Sequence, residues 1–428
     1  MSINRIAIQA ASNAGGDAYY VYNYTHTTAY SHRSSTFAVD SQKNIILCGI
    51  SSGDFRVTQL KHDEEGAEIF DKSYVYNGTD VPRGEMQLFT DSSDNIYYTF
   101  VTQREAVSSS YYTGVEKQSP SGVRQYFKYY YQSGLIYHKL AFADDSIIYV
   151  QNGYGQYRML STANALSVNN RDDTRVNTYT HRRTSDLQNA NPMFYNGSRY
   201  KAVGDILDAT SRKIAIVPYT GSLTISGTTY VISGGNGLTP VDCAFKNNAL
   251  VITSIIYTGG VNRPCITFGT ETSLTAAKVI TNVSANTGTP SFCQIDDNGY
   301  VYQCLNDKDT KYLYIIKYDS SGNVVFTNRI PNFYCWKFLV KNNAMYILGI
   351  NYNTFEGSIL FKLPLDGSGL GTYYGFTYES TSTLSYTSDS FSMQTGSATD
   401  NVRSADTYQN LVYGDSTPAY SISTTQIL

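Results

Sequence analysis

The chain has 428 residues, a formal net charge of −3 and only 16% charged residues, so it lacks the basic field that holds nucleic acid. Forty Tyr and a chain dense in Ser, Thr and Asn favour pleated, half-buried surfaces over helices. No run approaches the about eighteen apolar residues of a membrane-spanning helix, and neither nucleic-acid binding nor membrane insertion is expected.

The first element in chain order is strand-like, Ala18-Tyr19-Tyr20-Val21-Tyr22, after Gly15-Gly16-Asp17. The preceding Ile6–Ala11 run is too short and polar for a secretory h-region, so export through a signal peptide is not expected. From residue 36 a unit recurs: an apolar pair, a polar turn, then a β-rich run. It reads Ala38-Val39-Asp40 into Asn44-Ile45-Ile46-Leu47, then Phe89-Thr90-Asp91 into Asn95-Ile96-Tyr97-Tyr98, then Phe142-Ala143-Asp144 into Ile147-Ile148-Tyr149-Val150. It continues at Phe194-Tyr195-Asn196, Ala244-Phe245-Lys246, Gln294-Ile295-Asp296 and Leu339-Val340-Lys341. Positions 40, 91, 144, 196, 246, 296 and 341 are 51, 53, 52, 50, 50 and 45 residues apart. That period, built from strands, predicts an all-β, seven-bladed β-propeller over 36–378, flanked by short extensions at 1–35 and 379–428.

A second turn follows in most units, as two hairpins per blade require. Asp63-Glu64-Glu65-Gly66, Ser119-Pro120-Ser121-Gly122, Asp319-Ser320-Ser321-Gly322-Asn323 and Leu365-Asp366-Gly367-Ser368-Gly369 supply it. In the third and fourth units Asn164 and Gly221 are the candidates. An open ring would expose two sheet edges. Residues 18–24 or 30–37 are therefore expected beside strands from 370–395 in one composite blade.

The search for chemistry returns little. The five histidines have no metal-ligand spacing, and metalloprotease, P-loop, nucleophile-elbow and Rossmann motifs are missing, so no catalytic residue, metal or cofactor is assigned. Asp296-Asp297-Asn298-Gly299 and Asp319–Asn323 read as structural turns. The cluster Arg171, Arg175, His181-Arg182-Arg183 reads as a solvated loop. Six cysteines without C-x-x-C spacing suit a reduced, cytoplasmically folded chain; Cys293 and Cys304 flank one hairpin and could face each other, but no disulfide is expected between them.

Tyrosine is the abundant binding-competent residue. Tyr111, Tyr112, Tyr129, Tyr130 and Tyr131 form the candidate binding surface, with inter-blade packing as the competing use of such rings. The last 50 residues hold 20 Ser or Thr. Leu384, Tyr386, Phe391 and Met393 interrupt that tail with enough apolar surface to form strands against the last blade or a neighbouring subunit. Leu411, Val412, Tyr413, Tyr420, Ile422 and Leu428 are the candidate assembly contacts.

The repeated D-x-x-x-N turn, as in Asp40…Asn44 and Asp91…Asn95, resembles the repeats of NHL and related bacterial propellers. Together with the Gly-Gly-Asp-aromatic extension and the Ser/Thr tail, the chain resembles propeller-containing virion proteins of tailed bacteriophages. The resemblance implies a non-enzymatic virion component of the tail, assembled in the host cytoplasm, present in several copies or as a homo-oligomer, and contacting other virion proteins. A receptor- or glycan-binding tail-tip module that meets a host-surface glycan is the first alternative. A polysaccharide-cleaving propeller that uses carboxylates at the ring mouth is the second.

Overall fold

The computed structural model describes residues 2–8, 19–25, 35–50, 57–74, 80–82, 86–104, 110–133, 138–143, 147–152, 157–161, 167–171, 174–176, 179–182, 193–208, 211–219, 227–234, 237–258, 260–285, 291–307, 309–354, 358–396, 398–400 and 422–423. Among these the regular structure is all strand, in seven sheets.

The sheets follow chain order. The first holds Ser35–Val39, Ile45–Ile50, Val57–His62 and Glu68–Tyr74; the second runs from Gln87–Thr90 out to Arg124–Ser133. The third spans His138–Ala143 to Ser167–Arg171, the fourth Met193–Tyr195 to Thr229–Ser233, and the fifth Leu238–Lys246 to Leu274–Ile280. The sixth spans Ser291–Ile295 to Val324–Pro331, and the seventh begins with Phe333–Lys341, Ala344–Asn351 and Ser358–Pro364. Each innermost strand touches the next sheet's innermost strand, and Phe333–Lys341 touches Ser35–Val39. The fold is a β-propeller.

Both faces of most strands are covered, which explains the unbroken apolar runs. Along Ile45–Ile50, Ile45 and Leu47 enter the core shared with the seventh sheet, whereas Ile46 and Cys48 enter the core shared with the second. Such two-sided burial removes the alternation that a half-exposed strand would show.

The turns follow two local chemistries. At Asp40, Asp91, Asp296 and Asp319, Oδ1 accepts the amides two and four residues on, and the residue three on is left-handed: Lys43, Asp94, Gly299 and Gly322. This is a three-residue hairpin loop with a bulge, for which a short polar side chain and a residue at positive φ are the usual ingredients. Lys246-Asn247-Asn248-Ala249 and Lys341-Asn342-Asn343-Ala344 use a two-residue loop instead, with both asparagines at positive φ. The apolar residues before the turns, Val39, Phe89, Phe142, Phe194, Ala244, Ile295 and Leu339, each fall in the innermost strand of a different sheet. Val39 and Ile295 lie one position nearer their turn residue than the others. Asn164 and Gly221 lie outside the described residues.

The ring closes differently from the expectation. Tyr19–Thr25 pairs with Ser358–Pro364, not with 370–395, and Ser2–Ile8 adds outside it, so the N-terminus supplies the two outer strands of the seventh sheet. The segment from 371 onward is thereby released to pass backwards along the rim. Phe376–Ser380 adds to the sixth sheet, Tyr386–Ser388 to the fifth and Ser392–Gly396 to the fourth. In or just before each strand an apolar pair spaced by two, Phe376 and Tyr378, Leu384 and Tyr386, Phe391 and Met393, packs against three successive inter-sheet cores. Ala398–Asp400 then pairs with Thr174–Val176, and Ile422–Ser423 pairs with Ser73–Tyr74 of the first sheet.

Cys293 and Cys304 do not face each other. Cys293 pairs with Gln303 and Phe292 with Cys304, so the two thiols point to opposite faces of the sixth sheet, into different cores. All six cysteines are free and buried.

Candidate functional site

At the turn end of the ring a lysine recurs two residues before the outer turn, with glycine three residues after the turn begins. The four instances are Lys61-His62-Asp63-Glu64-Glu65-Gly66, Lys117-Gln118-Ser119-Pro120-Ser121-Gly122, Lys317-Tyr318-Asp319-Ser320-Ser321-Gly322 and Lys362-Leu363-Pro364-Leu365-Asp366-Gly367. This spacing was visible in the sequence but was not read there as a motif. Its role is tertiary, because three of these lysines reach the outer turn of the next sheet. Lys61 Nζ donates to Pro120 O at 2.9 Å, Lys317 Nζ to Leu365 O at 3.0 Å and Lys362 Nζ to Glu64 Oε1 at 3.0 Å. The acceptor in each case is the residue after the turn's first.

The same lysines are tied to their own sheets. Lys61 Nζ also lies 2.9 Å from Asp40 Oδ2, both side chains being almost wholly buried. Burial pulls the Lys317 ammonium below the ordinary lysine value, against the opposing pull of Asp296 and Asp366. The Tyr302 hydroxyl sits 3.0 Å from Asp296 Oδ2 and 3.1 Å from Leu365 O; burial and then the Asp296 charge push its pKa up. The turn glycines complete the joint. A Cβ at Gly367 would lie 2.9 Å from the Phe326 ring, and one at Gly322 would lie 3.1 Å from Phe268. In the fifth sheet Phe268 stands at the position two before the turn that lysine holds elsewhere.

Nearer the axis the inner turns are joined in the same way. Ser41 donates its amide and hydroxyl to Asp94 at 2.8 and 2.6 Å and Asn342 Nδ2 donates to Asp40 O at 3.3 Å, while along the innermost strands Lys337 Nζ reaches both Thr36 Oγ1 and Leu88 O. The turn carboxylates are thus engaged in holding loops and neighbouring sheets.

The opposite end of the seventh sheet carries an aromatic group. Trp336, the single tryptophan, is the extra residue of a β-bulge: Cys335 pairs with Gly349 and Lys337 with Leu348. The innermost strands of the third and fifth sheets bulge likewise, at Ala141 and Val241. Tyr334 packs edge-on against Trp336 (centroids 5.1 Å apart, planes at 68°) and against Tyr352 (5.5 Å, 62°). Gly349 is required beneath them, since a Cβ there would lie 2.2 Å from Tyr334 O. Lys311 Nζ lies 5.6 Å from the Tyr352 ring centre and donates to Asn353 Oδ1 at 2.9 Å. Burial, and then the charges of Asp307 and Asp309, raise the Tyr352 pKa. Burial, and then Tyr352, raise that of Tyr334. Asp309, Thr310, Lys311 and Asn353 are exposed around this group.

The residues singled out from the sequence have other positions. Tyr111 and Tyr112 lie in Ser110–Gln118, and Tyr129, Tyr130 and Tyr131 lie in Arg124–Ser133, the two outer strands of the second sheet. Cross-strand register sets Tyr112 opposite Tyr131, Thr113 opposite Tyr130 and Gly114 opposite Tyr129. Their side chains lie outside the described residues. Of the tail residues, the backbone of Ile422 pairs with Tyr74 of the same chain. Leu411, Val412, Tyr413, Tyr420 and Leu428 lie outside the described residues. Among the described residues no cluster of His, Cys, Asp and Glu is arranged to hold a metal ion.

No protein-family model matches the chain, and no curated protein matches it in sequence. Among solved structures it is similar to BamB from Moraxella catarrhalis, at 9% identity and a TM-score of 0.43, over 85% of this chain and 98% of that one. It is also similar to Sqt1 from Saccharomyces cerevisiae, at 6% identity and a TM-score of 0.40, over 80% of this chain and 99% of that one.

Proposed function

We propose that the chain is a non-enzymatic structural component of a bacteriophage virion, a seven-bladed propeller in the tail that serves as an assembly or host-contact module. The observation that carries the non-enzymatic part is the employment of its charged groups. Asp40, Asp296, Lys61, Lys317 and Lys362 bind turns or neighbouring sheets to one another. A general acid or base has to be available to a substrate proton, and these groups are engaged elsewhere. The rim strands add to this reading, because they cover outer sheet edges that would otherwise invite uncontrolled pairing. A rigid ring with covered edges suits repeated use in an assembly. The tail setting and the contacts with other virion proteins rest on the resemblance in the termini and turn repeats.

Peptide mass spectrometry of purified particles of the encoding phage tests the setting. The chain is expected at a fixed ratio to the major tail protein, and its absence from infectious particles would overturn the reading. Incubating the protein with host polysaccharide tests the chemistry: new reducing ends would replace the structural role with a glycosidase.

A further inference from the structure

We propose that Trp336, Tyr334 and Tyr352 form a platform for a neutral pyranose of a host-surface glycan, with Lys311, Asp309 and Asn353 as its polar rim. The first argument is where these rings go. In Phe333–Lys341, Phe333, Cys335 and Phe338 enter the core between the sixth and seventh sheets, but Tyr334 and Trp336 do not. Of the three innermost-strand bulges among the described residues, at Ala141, Val241 and Trp336, this one carries an aromatic ring. The bulge takes it out of the alternation and re-aims it, as bulges beside binding sites do.

The second argument is polar. The Trp336 Nε1 donor is buried and has no hydrogen-bond partner among the described residues. An unpaired buried donor works against stability, so packing alone gives no reason to keep an indole rather than a phenyl ring at this position. Around the partly buried rings stand exposed groups of both signs, Lys311 and Asp309, with the amide of Asn353 between them in character. Tyrosine and tryptophan offer flat apolar area at low entropic cost, and the C–H face of a pyranose is a flat apolar surface edged by hydroxyls. Amide, ammonium and carboxylate groups can bond those hydroxyls. A strongly charged ligand would meet repulsion from Lys311 or from Asp309, which is why the ligand is neutral. Tyr334 and Trp336 sit on the innermost strand of the seventh sheet, and Tyr352 directly follows its second strand, Ala344–Asn351.

This inference deepens the host-contact part of the function proposed above and can fail without it, because incorporation into particles is measured independently. The chain contains one tryptophan, so its emission reports on this site alone. The full-length protein is titrated with maltose, lactose, cellobiose and chitobiose, and is applied to an array of neutral glycans. At least one saccharide is expected to shift the Trp336 emission saturably, with a Kd of about 1 mM or tighter. Tyr352→Ala is expected to weaken array binding about tenfold, and the exposed-rim variant Asn353→Ala about threefold. Unchanged emission across the panel together with a silent array would overturn the proposal. So would array binding that Tyr352→Ala and Asn353→Ala leave at wild-type strength, which would place the glycan elsewhere on the ring.

Discussion

Lys362 Nζ and Glu64 Oε1 lie 3.0 Å apart across the junction where the two ends of the ring meet, although the residues are 298 positions apart in sequence. The lysine is fully buried and the glutamate partly so. Beside them the Tyr22 hydroxyl donates to Glu64 O at 2.7 Å, and Tyr24 is 2.8 Å from His62 Nε2. Replacing Lys362 by Met keeps the volume but removes the donor to Glu64 Oε1. Lys362→Met is expected to cost about 1–3 kcal/mol in denaturant unfolding. Glu64 can turn toward water once the lysine is gone, whereas Glu64→Gln strands a fully buried ammonium without its counter-charge and should cost more, about 3–5 kcal/mol; an equal or smaller cost for Glu64→Gln would contradict the latch.

Gly367 and Gly299 are both left-handed, at φ of 79° and 83°, yet their surroundings differ. A Cβ at Gly367 would meet Phe326 at 2.9 Å, whereas at Gly299 it would meet nothing within 4 Å. Gly299→Ala should therefore cost only the backbone penalty of about 1–2 kcal/mol. Gly367→Ala adds displacement of the aromatic ring from the inter-sheet joint, of order another 1–3 kcal/mol. Thermal unfolding of the two variants side by side checks the order.

Asp319 is held below the ordinary aspartate value, chiefly by the Asn323 side chain and then by the Asn323 amide. A carboxyl whose folded pKa is depressed adds stability above its unfolded pKa and loses that contribution as pH falls through the folded value. The window therefore opens below about pH 3.9. Exchange of the Asn323 amide should accelerate across it, and in Asp319→Asn that acid step should vanish. A step of unchanged size in the variant would assign it to another group.

The rim segment should be ordered in the isolated protein at least as far as its described apolar anchors. Phe376 is buried and meets Phe333 and Phe361 edge-on at 5.3 and 6.4 Å, while Asn328 Nδ2 donates to the Tyr378 hydroxyl at 2.6 Å. Phe376→Ala is expected to cost about 3–5 kcal/mol, as for other buried phenylalanines. Hydrogen exchange at Asn328 and Arg329, which pair with Ser380 and Glu379, should rise in that variant. Full protection there would show that the rim strand contributes nothing to the sixth sheet's edge.

The turns and the strands were legible in the sequence because they are local. Asp40 binds amides two and four residues away, so the type and spacing of residues at 40–44 already contain that loop's chemistry. The period of about fifty residues that led to the propeller is the repetition of such loops. Even the lysine before four of the outer turns was present as a pattern, though its purpose was not, since for Lys61, Lys317 and Lys362 the partner belongs to another sheet.

What only the tertiary structure decided is which edges meet. A strand edge offers N–H and C=O groups that look alike whatever the side chains, so composition could not tell whether 19–25 would join 358–364 or 370–395. Apolar pairs such as Leu384 and Tyr386 announced a strand but not the sheet that receives it, because the receiving core is made by residues a hundred positions away. Trp336 was only a solitary residue in the sequence. The bulge that turns it out of the core arises from pairing with Gly349 and Leu348, a register that exists only once the two strands lie side by side.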